Sequence, residues 1–137
     1  MGEIVVTAKL ENTEDRGGFK RGFHDEANIR TTNIEAIVDT GAAMLMLPQN
    51  VVERLGLELQ RTAIVTYADD RREERSIAGP VTIELCGRFM HTSCIVGPPL
   101  SEALIGQIVL QELDLIADCA KHSLYPRVPD YPLLSLR

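Results

Sequence analysis

The chain has 137 residues, of which 45% are hydrophobic and 25% are charged, and this size and composition predict a single domain over 1–137 with its own core. Its formal net charge of −6 argues against a general nucleic-acid-binding protein, because neutralising phosphates requires a basic face. No apolar run approaches the roughly 20 residues of a membrane-spanning helix, and the N-terminus lacks a signal-peptide pattern, so we expect a cytoplasmic protein without a membrane partner.

The first third of the chain alternates between β-type and polar segments. Residues 3–10 are rich in β-branched side chains and predict a strand, whereas 11–27 is polar and glycine-containing and predicts a long exposed loop or a wide hairpin. Residues 28–38 return to β-type side chains, and 43–47 is a second apolar run. An Asp-Thr-Gly tripeptide at 39–41 separates the two runs.

The remainder of the chain reads as short strands with two short helices. Pro48 and Gly56 bracket the first of these helices. The predicted elements are a helix over 49–55, two arms of a hairpin over 58–67 and 72–85, a strand over 89–96, a helix over 107–113 and a last hairpin within 114–124. A C-terminal extension, 119–137, contains several prolines. We therefore expect a mostly β domain with one or two short helices.

Asp39 is the residue that most needs an explanation. It stands between two apolar runs, where burial of an unpaired carboxylate would be unfavourable. An Asp-Thr-Gly tripeptide alone is a common turn sequence and carries little information. Here it follows β-type residues and precedes small residues and an apolar strand, which favours a functional loop over a simple turn.

Two segments together resemble a known family. The apolar residues before Asp39-Thr40-Gly41-Ala42, and the apolar strand after them, resemble the active-site loop of aspartic proteases. The segment Ala103-Leu104-Ile105-Gly106 resembles the apolar-apolar-Gly segment that lies behind that loop and leads into a helix. Their order over about 29–118 is similar to that of single-lobe, retropepsin-like proteases. The resemblance implies a closed, β-barrel-like acid protease fold that forms a homodimer.

The chemistry of peptide hydrolysis explains why one such loop implies two chains. One carboxylate accepts a proton from a water while a second, protonated carboxylate polarises the scissile carbonyl. Two carboxylates this close share one proton. The sequence holds one Asp-Thr-Gly, so a two-fold dimer would supply the second Asp39. The resemblance implies that Thr40 bonds across the pair and that Gly41 lets the substrate backbone or the second carboxylate approach closely. It also implies that Ala42 continues the loop beside the substrate. The support behind the loop would come from Leu104, Ile105 and Gly106.

The resemblance also implies a flap over the cleft, formed by Tyr67, Ala68, Asp69 and Asp70, although this tip lacks the glycines of the viral enzymes. The expected substrate is a peptide or protein bound in an extended form, with apolar side chains near the scissile bond. No cofactor is implied.

Two other interpretations remain open. The chain could be a retropepsin-like dimer that cleaves poorly or not at all and serves as a peptide-binding or scaffold domain. A metal-binding β domain is the remoter possibility. The spacing of its candidate ligands matches no common structural zinc site, so we expect no metal at Cys86, His91, Cys94, Cys119 and His122. The odd, widely spaced cysteines instead predict free thiols.

Overall fold

The computed structural model describes residues 3–136, which form nine short strands and three α-helices. The strands are β1 Val5–Asn12, β2 Thr31–Val38, β3 Met46–Pro48, β4 Glu58–Thr66, β5 Arg72–Leu85, β6 Arg88–Gly97, β7 Ala103–Ile105, β8 Leu115–Asp118 and β9 Ser123–Pro126. The helices are α1 Thr13–Lys20, α2 Gln49–Leu55 and α3 Gln107–Leu113, and a 3-10 turn spans Glu26–Asn28.

Six of the strands close into a barrel in the order β1-β2-β7-β3-β6-β5. The closing contact is an antiparallel pairing of β1 with β5, in which Leu10 lies opposite Ile83. β4 pairs with β5 and extends the hairpin beyond the barrel, while β8 and β9 form a separate two-stranded sheet. The predicted closed, mostly β fold is confirmed.

The barrel encloses the core by the alternation that strands impose. In β5, Val81, Ile83 and Leu85 are almost fully buried, and the residues between them are more exposed. The two helices α2 and α3 each add an apolar face to this core, namely Val51, Val52 and Leu55 from α2 and Val109, Leu110 and Leu113 from α3.

The helices α2 and α3 and the strand β5 match the predicted bounds, but the prediction of a loop over 11–27 is wrong. This segment completes β1 and then forms α1, so the helices number three rather than one or two. No residue of α1 is buried, so the helix has no apolar periodicity that could reveal it. It is held instead by capping and charge: Asn12 caps its N-terminus, and Arg16 pairs with Glu11 at 2.7 Å.

Asn12 is the buried polar residue that joins three elements. Its side-chain oxygen accepts a hydrogen bond from the Asp15 amide at 3.0 Å, and its Nδ2 donates to the Leu55 carbonyl at 2.8 Å. Its own amide donates to the Arg30 carbonyl at 3.0 Å. The Asn12 residue is only 3% exposed, so water cannot replace its side-chain hydrogen bonds unless the structure opens locally.

Replacing Asn12 with Ala should lower the free energy of unfolding by about 2–3 kcal/mol, because it removes a helix cap and leaves a buried carbonyl unpaired. Urea titration followed by circular dichroism measures this change. Asn33→Ala, at an exposed position of β2, is the matched control and should shift stability by no more than about 0.5 kcal/mol. Equal shifts for the two variants would contradict the role assigned to Asn12.

Among the helices of residues 3–136, none is both long enough and apolar enough to cross a membrane.

Candidate active site

Asp39 lies at the end of β2, where the chain leaves the barrel. β2 runs parallel to β7, with Val38 opposite Ile105. The pairing extends one residue further, because the Asp39 amide donates to the Ile105 carbonyl at 2.9 Å. Pairing with β7 therefore holds the backbone of Asp39 in place, and this backbone positions its half-buried side chain.

The loop that follows is a tight turn built on the Asp39 carboxylate. The Asp39 Oδ1 accepts a hydrogen bond from the Gly41 amide at 3.0 Å, and the backbone carbonyl of Asp39 accepts one from the Ala42 amide at 3.1 Å. This is the local turn that an Asp followed by a Gly favours. The same bonds orient the carboxylate, so the turn interpretation and the functional interpretation of the tripeptide are compatible.

The helix α3 begins behind the loop. No side chain caps its first amides, and these amides instead donate hydrogen bonds to carbonyls of the loop. The Gln107 amide donates to the Ala42 carbonyl at 2.8 Å, and the Ile108 amide donates to the Ala43 carbonyl at 3.0 Å. Gly106 makes this approach possible, because a Cβ there would lie 2.7 Å from the carbonyl oxygens of Ala42 and Met44. The loop and the helix are thus packed backbone to backbone.

The three residues predicted to lie behind the loop differ in what they contact. Leu104 lines the cleft beside Asp39, Ile105 is fully buried and holds the Asp39 amide, and Gly106 touches the loop carbonyls. Thr40 is exposed and is not among the residues that line the cleft, and its carbonyl accepts a hydrogen bond from the Gln107 side chain at 3.0 Å. Its expected bond across a pair of loops involves a second chain and stays a prediction.

A cleft of about 580 Å³ lies between this loop and the β4–β5 hairpin. Asp39 provides the one carboxylate among the described residues that line it, and Gly41 and Ala42 lie beside that carboxylate. The other lining residues are mostly apolar and come from the loop, β3, the β4–β5 hairpin, β6 and β7: Ala43, Met44, Met46, Ala63, Ile64, Val65, Thr66, Tyr67, Ala68, Ile77, Ile95 and Leu104.

The hairpin tip closes without glycine. The Tyr67 amide donates to the Arg71 carbonyl at 2.9 Å, and the Asp70 amide donates to the Tyr67 carbonyl at 3.0 Å. Asp70 takes a φ of 66°, the left-handed position that a three-residue hairpin turn requires and that glycine usually fills. The predicted flap residues are therefore divided: Tyr67 and Ala68 line the cleft, whereas Asp69 and Asp70 lie at the exposed tip.

Charged side chains brace this tip. The Arg71 guanidinium lies 4.8 Å from the centre of the Tyr67 ring and bonds the Asp69 carboxylate at 3.0 Å. The Arg71 amide and then its guanidinium lower the pKa of Asp69. Further along β5, the Tyr67 hydroxyl and the Arg75 guanidinium lower the pKa of Glu73. These groups are consequently charged at neutral pH, and the hairpin carries ion pairs close to its tip.

The cysteines and histidines are the second set of candidate functional residues. Cys94 is fully buried, and burial raises the pKa of its thiol to about 12, so it is protonated at neutral pH. Burial also raises the pKa of Cys86. Within the part of the chain that the structure describes, no group of three or more His, Cys, Asp or Glu side chains is placed to hold a metal ion.

Several contacts of the site were not predicted from the sequence. Gln107, whose side chain holds the Thr40 carbonyl, directly follows the apolar-Gly segment and could have been singled out by that position. Ile77 and Ile95 lie opposite each other on β5 and β6 and both line the cleft. Their pairing depends on strand register, for which the sequence carries no direct signal.

A carboxylate loop at the end of a barrel strand, a helix packed behind it and a hairpin over it are features of an acid-protease type of fold. The family model described as "gag-polyprotein putative aspartyl protease" matches residues 26–112, which is more than half of the chain. The chain therefore belongs to this family of retropepsin-like aspartyl proteases, as the sequence resemblance implied. Among curated proteins, the comparison finds no match to it.

Proposed function

We propose that the protein is a homodimeric aspartic endopeptidase in which Asp39 of each chain supplies one of two catalytic carboxylates. The observation that carries this proposal is the backbone anchoring of Asp39 in a mostly apolar cleft beneath the β4–β5 hairpin. A single carboxylate can activate a water but cannot also donate a proton to the carbonyl. The second copy of the chain completes the pair by symmetry.

In the proposed reaction, the ionised Asp39 accepts a proton from a water held between the two carboxylates. The oxygen of that water attacks the scissile carbonyl carbon, while the protonated Asp39 of the other chain donates its proton to the carbonyl oxygen. The first Asp39, which now carries the proton from the water, donates it to the leaving nitrogen. As the C–N bond breaks, a hydroxyl of the tetrahedral intermediate returns its proton to the Asp39 of the other chain, which restores the starting pair. No metal or cofactor takes part in these steps.

The lining of the cleft supports a substrate with apolar side chains around the scissile bond. Met44 and Met46 are flexible and polarisable, which suits varied apolar partners. Ile77, Ile95 and Leu104 provide a stiffer wall. An extended peptide lying between the loop and the hairpin would pair its backbone with the hairpin, as edge strands allow.

A second candidate function is peptide binding without efficient cleavage. The observation in its favour is the bracing of the hairpin tip by Arg71, which contacts both Tyr67 and Asp69. A tip held in one conformation would restrain the opening that substrate entry and product release require. Such a protein would retain peptides without turning them over.

Incubation of the purified protein with an unfolded, reduced protein substrate tests the proposal, with products identified by mass spectrometry. We expect new termini flanked by apolar residues, and we expect a transition-state inhibitor of aspartic proteases to suppress them. Sedimentation of the same sample should show a dimer at the concentrations that cleave. Peptide binding without products over a long incubation would favour the second candidate, and a monomer that cleaves would exclude the shared pair of carboxylates.

A further inference from the structure

A groove of about 500 Å³, separate from the cleft, lies on the outer face of the barrel between α1 and the strands β1, β5 and β6. The floor of this outer groove follows from strand register, because residues directly opposite each other on neighbouring antiparallel strands share a face. Two such rows cross the three strands, namely Lys9, Glu84 and Phe89 in the first and Glu11, Thr82 and His91 in the second. Arg16 and Lys20 of α1 complete the lining.

Two aromatic rings are exposed on the floor of the outer groove. Phe89 is 66% exposed, and His91 is exposed beside it. The centres of the two rings lie 5.9 Å apart, and the ring planes are tilted by 53°. An exposed ring face of this kind is a surface on which a planar heterocycle can stack.

Two hydroxyl groups orient the His91 ring. The Thr82 hydroxyl lies 2.8 Å from the Thr13 hydroxyl and 2.9 Å from Nδ1 of His91. When Thr82 accepts from Thr13 and donates to Nδ1, the neutral His91 ring carries its proton on Nε2. That N–H has no acceptor among residues 3–136 and is available to a ligand in the groove.

The charged groups of the outer groove are divided into paired and unpaired ones. Arg16 donates from Nε and Nη2 to the two carboxylate oxygens of Glu11, at 2.9 and 2.7 Å, so these two charges satisfy each other. Lys9, Lys20 and Glu84 are exposed, and none of them forms an ion pair within the described part of the chain. The groove therefore offers two ammonium groups to an anion and one carboxylate to an N–H donor.

We propose that the outer groove binds a nucleoside monophosphate, with the base stacked on Phe89 and the phosphate held by Lys9 and Lys20. A base such as adenine supplies a planar ring together with an amino group that can donate to Glu84. The phosphate is close to doubly charged at neutral pH, which matches two ammonium groups and the His91 donor. The volume of about 500 Å³ lies within the range of about 300–1,000 Å³ that is typical of small-molecule sites.

The charge of the whole chain favours a free nucleotide over a nucleic-acid strand. At a formal net charge of −6 the protein repels a long polyanion, whereas a mononucleotide responds mainly to the charges within about 10 Å of it. The proposal is independent of the function proposed for the cleft, because none of the described residues lines both the outer groove and the cleft.

Isothermal titration of the purified protein with adenosine monophosphate at low salt tests the proposal. Adenosine and inorganic phosphate are titrated separately, because each carries one half of the recognised chemistry. We expect adenosine monophosphate to bind at least about 10-fold more tightly than either half, and its affinity to fall as salt is added. A short single-stranded oligonucleotide of adenine is the fourth ligand and should bind no more tightly than the mononucleotide.

A double variant, Phe89→Thr with Lys20→Gln, removes the stacking ring and one ammonium group. Both side chains are exposed, and Thr and Gln suit a strand and a helix respectively, so the fold should be unaffected. We expect adenosine monophosphate to bind this variant at least about 10-fold more weakly. The matched control, Phe23→Thr with Lys121→Gln, makes the same changes at exposed positions outside the groove and should alter binding by less than about 3-fold. Thermal unfolding of both variants verifies that they are folded.

No binding of adenosine monophosphate up to about 10 mM would overturn the inference, and so would wild-type affinity in the groove variant. Inorganic phosphate that binds as tightly as the nucleotide would show that the ring takes no part, which would remove the stacking on Phe89. An oligonucleotide that binds more tightly than the mononucleotide would overturn the free nucleotide as the ligand and assign the groove to a strand.

Discussion

Asp39→Asn is expected to abolish peptide cleavage while leaving the fold and the dimer intact. An Asn side chain keeps an oxygen that can accept the hydrogen bond from the Gly41 amide, so the turn of the loop should survive. It cannot take a proton from water, so cleavage should fall by at least about 1,000-fold. Asp25→Asn, at an exposed position outside the cleft, is the matched control and should stay within a few-fold of wild type.

The same variant measures whether two chains share one site. If Asp39 acts in pairs and chains exchange freely, a roughly tenfold excess of the Asp39→Asn chain should reduce the activity of a fixed amount of wild-type chain to about a tenth.

These measurements are made by following a single peptide substrate after the mixtures have equilibrated. Undiminished wild-type activity in the presence of excess Asp39→Asn chain, with exchange verified by tagged subunits, would show that one chain is sufficient. Residual cleavage in the pure variant, at several pH values and with an inhibitor control, would remove Asp39 from the chemistry altogether.

The parts of this molecule that the sequence predicts well are those with a local signature. Pro48 and Gly56 mark the ends of α2, and Gly56 takes the left-handed φ of 63° that such a helix end favours. The contact between the Asp39 loop and the apolar-Gly segment could be predicted because both segments carry recognisable residues in the right order. Asp39, Leu104 and Gly106 are accordingly found together.

The parts that escaped prediction depend on contacts that are distant in sequence or lack periodicity. Closure of the barrel requires Leu10 to lie opposite Ile83, a register that neither strand encodes alone. α1 buries none of its residues, and its stability comes from the Asn12 cap and from ion pairs rather than from an apolar face. The division of the hairpin tip between cleft and solvent depends on where the turn falls within Tyr67–Asp70.

Gly106→Ala is expected to damage both stability and activity, since the added methyl group has no space. The backbone at Gly106 has a φ of −98°, which any residue can adopt, so the effect is one of contact rather than of dihedral strain. The new Cβ would lie 2.7 Å from the carbonyl oxygens of Ala42 and Met44 and 2.9 Å from the Ala43 carbonyl carbon. These are backbone atoms of the Asp39 loop, and no side-chain rotation can relieve the overlap.

The loop must therefore move away from α3, which weakens the bonds that Gln107 and Ile108 donate to it. We expect the free energy of unfolding to fall by about 2–4 kcal/mol, and cleavage to fall by about 100-fold because Asp39 moves with the loop. Gly17→Ala is the matched control: it lies inside α1 with open space around it and should stabilise the protein by about 0.5–1 kcal/mol. Urea titration and single-peptide kinetics on the two variants compare these effects directly. A Gly106→Ala protein with wild-type stability and turnover would show that the loop is not held by this backbone contact, and the placement of Asp39 would then need another support.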